Sequence, residues 1–291
     1  PSGFIPGRRG CKCGLPPLNA WLVDAYPEGS LTGSVFLSSF TTKVAVYCLI
    51  RIFAGVDYLM WIGAFMALYG ACYAIMENDM RRLLSYHIIS QVGFMVAGTG
   101  IGTGMALNGA SAHAFSHILY KSLLFMCAGA LIYATASAPS TNWAVCLKSC
   151  RLLPYAFSWR RFLYQACRSS TALSAKPYYC RSGSSGAKRN LYSAGAGKHR
   201  YIFIDNVKMA TYFIKPAKAD VEIKNALPLN MYAGIGIGAA LCFVYGVCPQ
   251  LLYAWLPFEA PAYNPYTAEH ILQYVQVLTV TIVLHAAFGQ N

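Results

Sequence analysis

Charged side chains are scarce in this chain, and acidic ones most of all. Only 11% of the 291 residues are charged, and Asp and Glu together number 10. Soluble domains carry about 25% charged residues. With 56% hydrophobic residues and a mean hydropathy of +0.42, the composition excludes an ordinary soluble globular protein and indicates a membrane protein.

Motifs for cofactors and metals are also missing. The chain has neither a dinucleotide-binding fingerprint nor a four-cysteine set, and its eleven cysteines are scattered without a zinc-like spacing. The run GTGIGTG at 98–104 follows a predicted helix and lacks the GK[ST] ending of a phosphate loop. We therefore expect no metal, no cofactor and no catalysis by the chain itself. The chain opens on Pro1 without a signal peptide, which indicates a fragment of a longer protein.

Long apolar runs are what the sequence has instead. A transmembrane helix needs about 20 largely apolar residues. The runs that approach or exceed this length predict an all-α, polytopic membrane helix bundle, and they lie at 32–54, 56–76, 83–101, 107–135, 229–253 and 271–287. The adjacent Arg81 and Arg82 between the second and third runs favour a cytoplasmic loop, with a turn at 23–31 on the same side.

Four of the ionisable side chains inside these apolar runs are candidates for function. His113, His117 and Lys121 are spaced four residues apart, which places them on one helix face, and Lys43 is near the centre of the first run. Ionisable residues inside a membrane are costly and are functional candidates by default. Histidine exchanges protons near neutral pH, and a desolvated lysine can do so too. The row of His113, His117 and Lys121 therefore predicts a proton path, in which water bridges steps of about 6 Å along the helix.

Structural roles for these side chains remain open. Lys43 could extend its stem towards water, although it lies about ten residues from either end of its run. His117 could make a hydrogen bond between helices. His87 and Gln91, one turn apart in the third run, are further candidates for the path or for polar packing between helices.

Several stretches in order resemble one family of membrane proteins. They are GLPPLNAWL at 14–22, FTTKVAVYCLIR around Lys43, MRRLLSYHIISQVGFM at 80–95 and HAFSHILYKSLLFM at 113–126. They are similar to the proton-conducting, antiporter-like subunits shared by multisubunit sodium/proton antiporters and respiratory complex I. The wording AYPEGSLTGSVF and the tail KNALPLNMYAGIGIG most resemble the D subunit of the antiporters.

The resemblance implies a fold and a set of site residues. The fold would be a bundle of two inverted five-helix repeats, of which this chain holds the second repeat and the C-terminal helices. The residues that match the family's proton-transfer positions are Lys12, on a helix broken at mid-membrane, Lys43, His113, His117 and Lys121. The match covers about residues 12–136 and 202–291. It implies a partial proton-conducting domain at 1–136 and C-terminal helices at 202–291.

The segment 137–201 does not fit this pattern. It holds eleven Lys or Arg residues, no acid and no long apolar run, although one or two membrane spans are expected there. The segment has about the length that these spans would need but lacks their apolar composition, which favours a shifted reading frame. RFLYQ at 161–165 is compatible with codons that read Gly-Phe-Phe-Ile-Lys one base away, which resembles the family's terminal lysine stretch. Residues 1–11 raise the same question. A genuine basic insert, which could be disordered or could bind lipid or RNA, is the alternative.

The function predicted from these features is proton conduction in a multisubunit sodium/proton antiporter. The alternatives are the equivalent subunit of an NADH:quinone oxidoreductase and a non-functional remnant. The predicted partners are other membrane subunits, protons, a monovalent cation and the lipid bilayer, with no nucleic acid. The predicted location is the bacterial inner membrane.

Overall fold

The structure of the chain is a computed structural model, and it describes residues 12–77, 79–135, 225–256 and Phe258. These residues form helices and connecting turns, with no β-strand among them. The prediction of an all-α membrane bundle is confirmed. The basic segment 137–201, residues 1–11 and the predicted span 271–287 lie outside the described residues, so the domain division stays a prediction.

The helices follow the apolar runs of the sequence. In chain order they are α1 Ala20–Glu28, α2 Leu31–Phe36, a π-turn Leu37–Thr41, α3 Thr42–Ile52, α4 Asp57–Met76, α5 Met80–Ile101, α6 Gly104–Thr135, α7 Leu229–Val247 and α8 Pro249–Tyr253. By length and composition, three stretches of the described part of the chain are able to cross a membrane: Leu31–Ile52, Asp57–Met76 and Ala106–Ala134. They correspond to the first, second and fourth predicted spans.

The predicted third span is helix α5, which occupies the centre of the bundle. Although it has 22 residues, α5 is not among the stretches apolar enough to qualify as a membrane span on their own. It packs against α1, α3, α4 and α6, and most of its side chains are buried. Polar residues such as Gln91 therefore face protein rather than lipid, as intramembrane polar residues usually do.

Helices α4 and α5 form the most extensive contact, and glycines allow it. A Cβ atom on Gly63 would lie 2.4 Å from the Ala97 nitrogen, and one on Gly93 would lie 2.6 Å from the Ala67 nitrogen. Such close backbone approach is typical of helix pairs in membranes. Across the same contact, Ser90 Oγ donates to the Ala67 carbonyl at 2.9 Å.

Two predicted boundaries are wrong. The stretch 23–31 is not a turn, because α1 continues through Pro27 to Glu28 and the connection to α2 is only Gly29 and Ser30. The stretch 229–253 is not one helix, because it breaks at Cys248. Pro249 disfavours helical backbone at the residue before it, and α8 starts at Pro249 itself.

Arg81 joins the N-terminal end of α5 to this α1–α2 connection. One of its guanidinium nitrogens donates to the Gly29 carbonyl at 2.7 Å and the Tyr26 carbonyl at 3.4 Å, and it also contacts Ser34 Oγ. Arg82, by contrast, makes none of these contacts and is exposed. Arg81 therefore fastens the α1–α2 connection to α5, a role beyond the orientation signal expected from the sequence.

Candidate functional site

Lys43 lies in the first turn of α3, directly after the π-turn. Its side chain is only 4% exposed, and Nζ donates to the Ser38 carbonyl within the π-turn. The side chain does not extend to the surface of the bundle, so the alternative of a lysine that reaches water along its stem is wrong. Lys43 instead places an ammonium group in the interior of an apolar span.

The row on α6 is buried as a whole. His113, His117 and Lys121 are 6%, 0% and 1% exposed, which confirms that they share the helix face turned into the bundle. Lys121 Nζ donates to the Leu84 carbonyl of α5 at 3.1 Å. The ring centroids of His113 and His117 are 6.1 Å apart, which is too long for a direct proton transfer and requires a bridging group.

His117 occupies the centre of the cluster. Lys43, Lys121, His113 and His87 all lie close enough to act on it electrostatically. Its ring packs edge-on against Tyr120 with centroids 4.9 Å apart. Both ring nitrogens are buried, and neither has a hydrogen-bond partner in the part of the chain that the structure describes. That part therefore offers no support for a hydrogen bond between helices as the role of His117.

The cluster has many basic groups and no acid among its buried members. The buried polar residues of the described chain include Lys43, His113, His117 and Lys121, and none of them is Asp or Glu. Like charges at short range in a low-dielectric interior repel strongly. Only some of these groups can therefore be charged at one time. Such a cluster is suited to passing a proton between its groups.

The remaining predicted residues lie at different depths. His87 is half-buried on α5 and acts electrostatically on His117, and Gln91 is buried one turn further along. Lys12 is exposed and lies in a helical turn that ends before Gly14, where the backbone adopts φ +73°. A helix broken at mid-membrane stays a prediction, because the residues before Lys12 lie outside the described part of the chain. A role for Lys12 in proton transfer stays a prediction.

The structure also adds three polar residues that the sequence analysis did not identify. Ser38, Ser39 and Thr42 are buried next to Lys43, and Thr42 Oγ1 has no hydrogen-bond partner among the described residues. The signal in the sequence is the run of small hydroxyl residues in LSSFTT, within an otherwise apolar span. Its meaning depends on the π-turn, which the apolar pattern alone does not predict.

Comparison with known families gives one match that covers half of the chain. Residues 5–153 match the family described as NADH:quinone oxidoreductase/Mrp antiporter, TM. The matched range includes Lys12, Lys43, His113, His117 and Lys121.

Curated relatives come from both branches that this description names. The chain is 37% identical over 143 residues to the N subunit of the NADH-quinone oxidoreductase of Desulforudis audaxviator, covering 45% of this chain and 28% of the relative. It is 32% identical over 155 residues to the D subunit of the Na⁺/H⁺ antiporter of Alkalihalophilus pseudofirmus, covering 50% of this chain and 31% of the relative. The chain therefore spans about a third or less of these relatives.

A solved structure supports the fold over a longer stretch. The chain is similar to a subunit in the structure of the Mrp complex from Dietzia sp. DQ12-45-1b, with a TM-score of 0.69 and 19% sequence identity. The similarity covers 86% of this chain and 57% of that one.

Proposed function

Since the chain belongs to the family described as NADH:quinone oxidoreductase/Mrp antiporter, TM, we propose that it conducts protons as a membrane subunit of a multisubunit sodium/proton antiporter. The observation that carries the proposal is the buried basic cluster around His117, which has no acid among the buried residues of the described chain. Groups that cannot all be charged together favour transfer of a proton over its storage.

The cluster implies roles for its members. The side-chain nitrogens of Lys43 and Lys121 each donate to a backbone carbonyl, of Ser38 and of Leu84. His117 lies within electrostatic range of both and has two ring nitrogens, one able to accept a proton while the other donates. His113 continues the path one turn along α6, and His87, Gln91 and Lys12 are further members. Water bridges the gaps that side chains cannot span.

The second candidate is the equivalent proton-conducting subunit of an NADH:quinone oxidoreductase. The 37% identity to the N subunit of such an enzyme favours it. The same residues would serve in both assemblies, and in this case redox energy from partner subunits would drive the protons. The two candidates therefore differ in partners and energy source rather than in the site.

We further propose that the partners are other membrane subunits of such an assembly in the bacterial inner membrane. The outer face of the first span is apolar, with Phe36 66%, Phe40 53%, Val44 59% and Tyr47 60% exposed. These positions recur every three or four residues and form one stripe, which suits lipid or a neighbouring membrane subunit.

An experiment on the intact complex separates the candidates. Inverted membrane vesicles that contain the complex, with a pH-sensitive dye inside, receive first a sodium pulse and then NADH in the absence of sodium. An antiporter moves protons after the sodium pulse and not after NADH. A quinone-linked subunit gives the reverse result, with movement blocked by a quinone-site inhibitor. Absence of proton movement under both conditions would contradict both candidates and favour a non-functional remnant.

A further inference from the structure

The π-turn before Lys43 interrupts the helical ladder within an apolar span. Leu37–Thr41 joins α2 to α3 inside the 22-residue stretch Leu31–Ile52. Unsatisfied backbone groups are costly in a membrane, and single π-turns are rare features that frequently lie at functional sites. Local interactions must therefore keep this turn from relaxing into a regular α-helix.

Two buried serines supply such interactions. Ser38 Oγ donates to the Val35 carbonyl at 2.9 Å, and Ser39 Oγ donates to the same carbonyl at 2.6 Å. Both side chains are buried, at 0% and 2% exposed. A serine hydroxyl that bonds to a carbonyl three or four residues earlier competes with the regular helical ladder. The Val35 carbonyl thus receives two side-chain hydrogen bonds at the start of the π-turn.

The π-turn in turn determines where Lys43 points. Lys43 is five residues after Ser38, and its Nζ donates to the Ser38 carbonyl. A π-turn holds about one residue more than a turn of α-helix. If it relaxed to a regular α-helix, α3 would rotate by about 100° relative to α2. Lys43 would then lose the Ser38 carbonyl and turn away from its position near His117.

We propose that Ser38 and Ser39 are positioning residues, whose hydroxyls on the Val35 carbonyl hold the π-turn that directs Lys43 towards His117. The proposal rests on the proposed role of Lys43 in proton transfer. The serines act through Lys43, since the hydrogen of each hydroxyl is already donated to Val35. Their contribution is therefore geometric.

The test measures proton flux through the intact complex in vesicles, together with the amount of assembled complex. We expect the double variant Ser38→Ala/Ser39→Ala to lose about tenfold or more in flux, because small misplacement of a reacting group is costly. Assembly should be unchanged. Ser39→Thr keeps a hydroxyl and should retain flux. Ser85→Ala is the matched control, because Ser85 Oγ is equally buried and donates to the Arg81 carbonyl at 2.9 Å on α5, outside the π-turn.

Each outcome supports or overturns the positioning role. Wild-type flux in the double variant overturns it, and so does an equal loss in Ser39→Thr, since the loss would then not follow the hydroxyl. If the double variant does not assemble, the single alanine variants decide: intermediate flux supports the proposal and wild-type flux in both overturns it. Lys43→Ala is measured in parallel. Flux retained in Lys43→Ala refutes the role of Lys43, whereas flux lost there and retained in the serine variants refutes only the positioning role.

Discussion

At the scale of single residues, each buried lysine of the cluster donates to a backbone carbonyl of the described chain. Lys43 donates to Ser38 and Lys121 donates to Leu84. A carboxylate would form a charge-assisted bond, which is roughly twice as strong as a neutral one. A carbonyl holds the ammonium group less tightly, which suits the proposed role of a residue that releases its proton.

Substitution of Lys121 by Met tests this view of the site. The apolar side chain fills similar volume and brings no charge into the interior, where a charge is costly to desolvate. We expect Lys121→Met to abolish proton flux in vesicles while thermal unfolding of the complex occurs at the wild-type temperature or above it. A lysine needed only for structure would instead give a lower unfolding temperature.

The sequence predicts much of the cluster and little of its detail. The four-residue spacing of His113, His117 and Lys121 places them on one face, and the structure buries that face. The bonds to Ser38 and Leu84 could not be predicted, because they depend on a π-turn and on contact between α5 and α6. Neither feature leaves a signal in the periodicity of a single helix.

At the scale of elements, the close contact between α4 and α5 depends on glycines, which have no side chain. A Cβ atom added to Gly93 would lie 2.6 Å from the Ala67 nitrogen and 2.7 Å from the Gly63 carbonyl oxygen. The obstacle is backbone, so the helices themselves would have to separate. This contact supports α5, which carries His87, Gln91 and the carbonyl that binds Lys121.

We therefore expect Gly93→Ala to destabilise the protein by about 1–3 kcal/mol, the usual cost of overpacking. Gly236→Ala on α7 is the control, since a Cβ atom there has nothing within 4 Å. That change should be neutral or stabilising by up to about 1 kcal/mol. Thermal unfolding in detergent measures both variants. Equal unfolding temperatures for the two would contradict the packing role of Gly93.

The elements themselves were largely predictable and their ends were not. Apolar runs of about 20 residues predict the first, second and fourth spans, because length and hydropathy decide whether a helix crosses a membrane. The turn expected around Pro27 is helical instead, since α1 continues to Glu28 and connects to α2 through Gly29 and Ser30 alone. Arg81 stabilises this tight connection from a distant part of the sequence, and no local pattern predicts such a contact.

At the scale of the whole molecule, the described helices combine an apolar exterior with several basic side chains in their interior. The outward stripe of the first span begins with Phe36 and Phe40, whereas the inward side carries Lys43 close to His117. This division would separate the proposed proton path from lipid. It also explains why a chain with so few charged residues places several ionisable ones where burial is most costly.

Proton flux through complexes that carry Lys43→Ala or His117→Ala is the most direct measurement of the central claim, that this interior conducts protons. Val44→Ala is the matched control, because Val44 follows Lys43 on the same helix and is 59% exposed on the outer stripe. We predict that each site variant assembles normally and loses cation-dependent proton flux in vesicles, while the control conducts as the wild type does. Wild-type flux in either site variant would contradict the role assigned to that residue in the path.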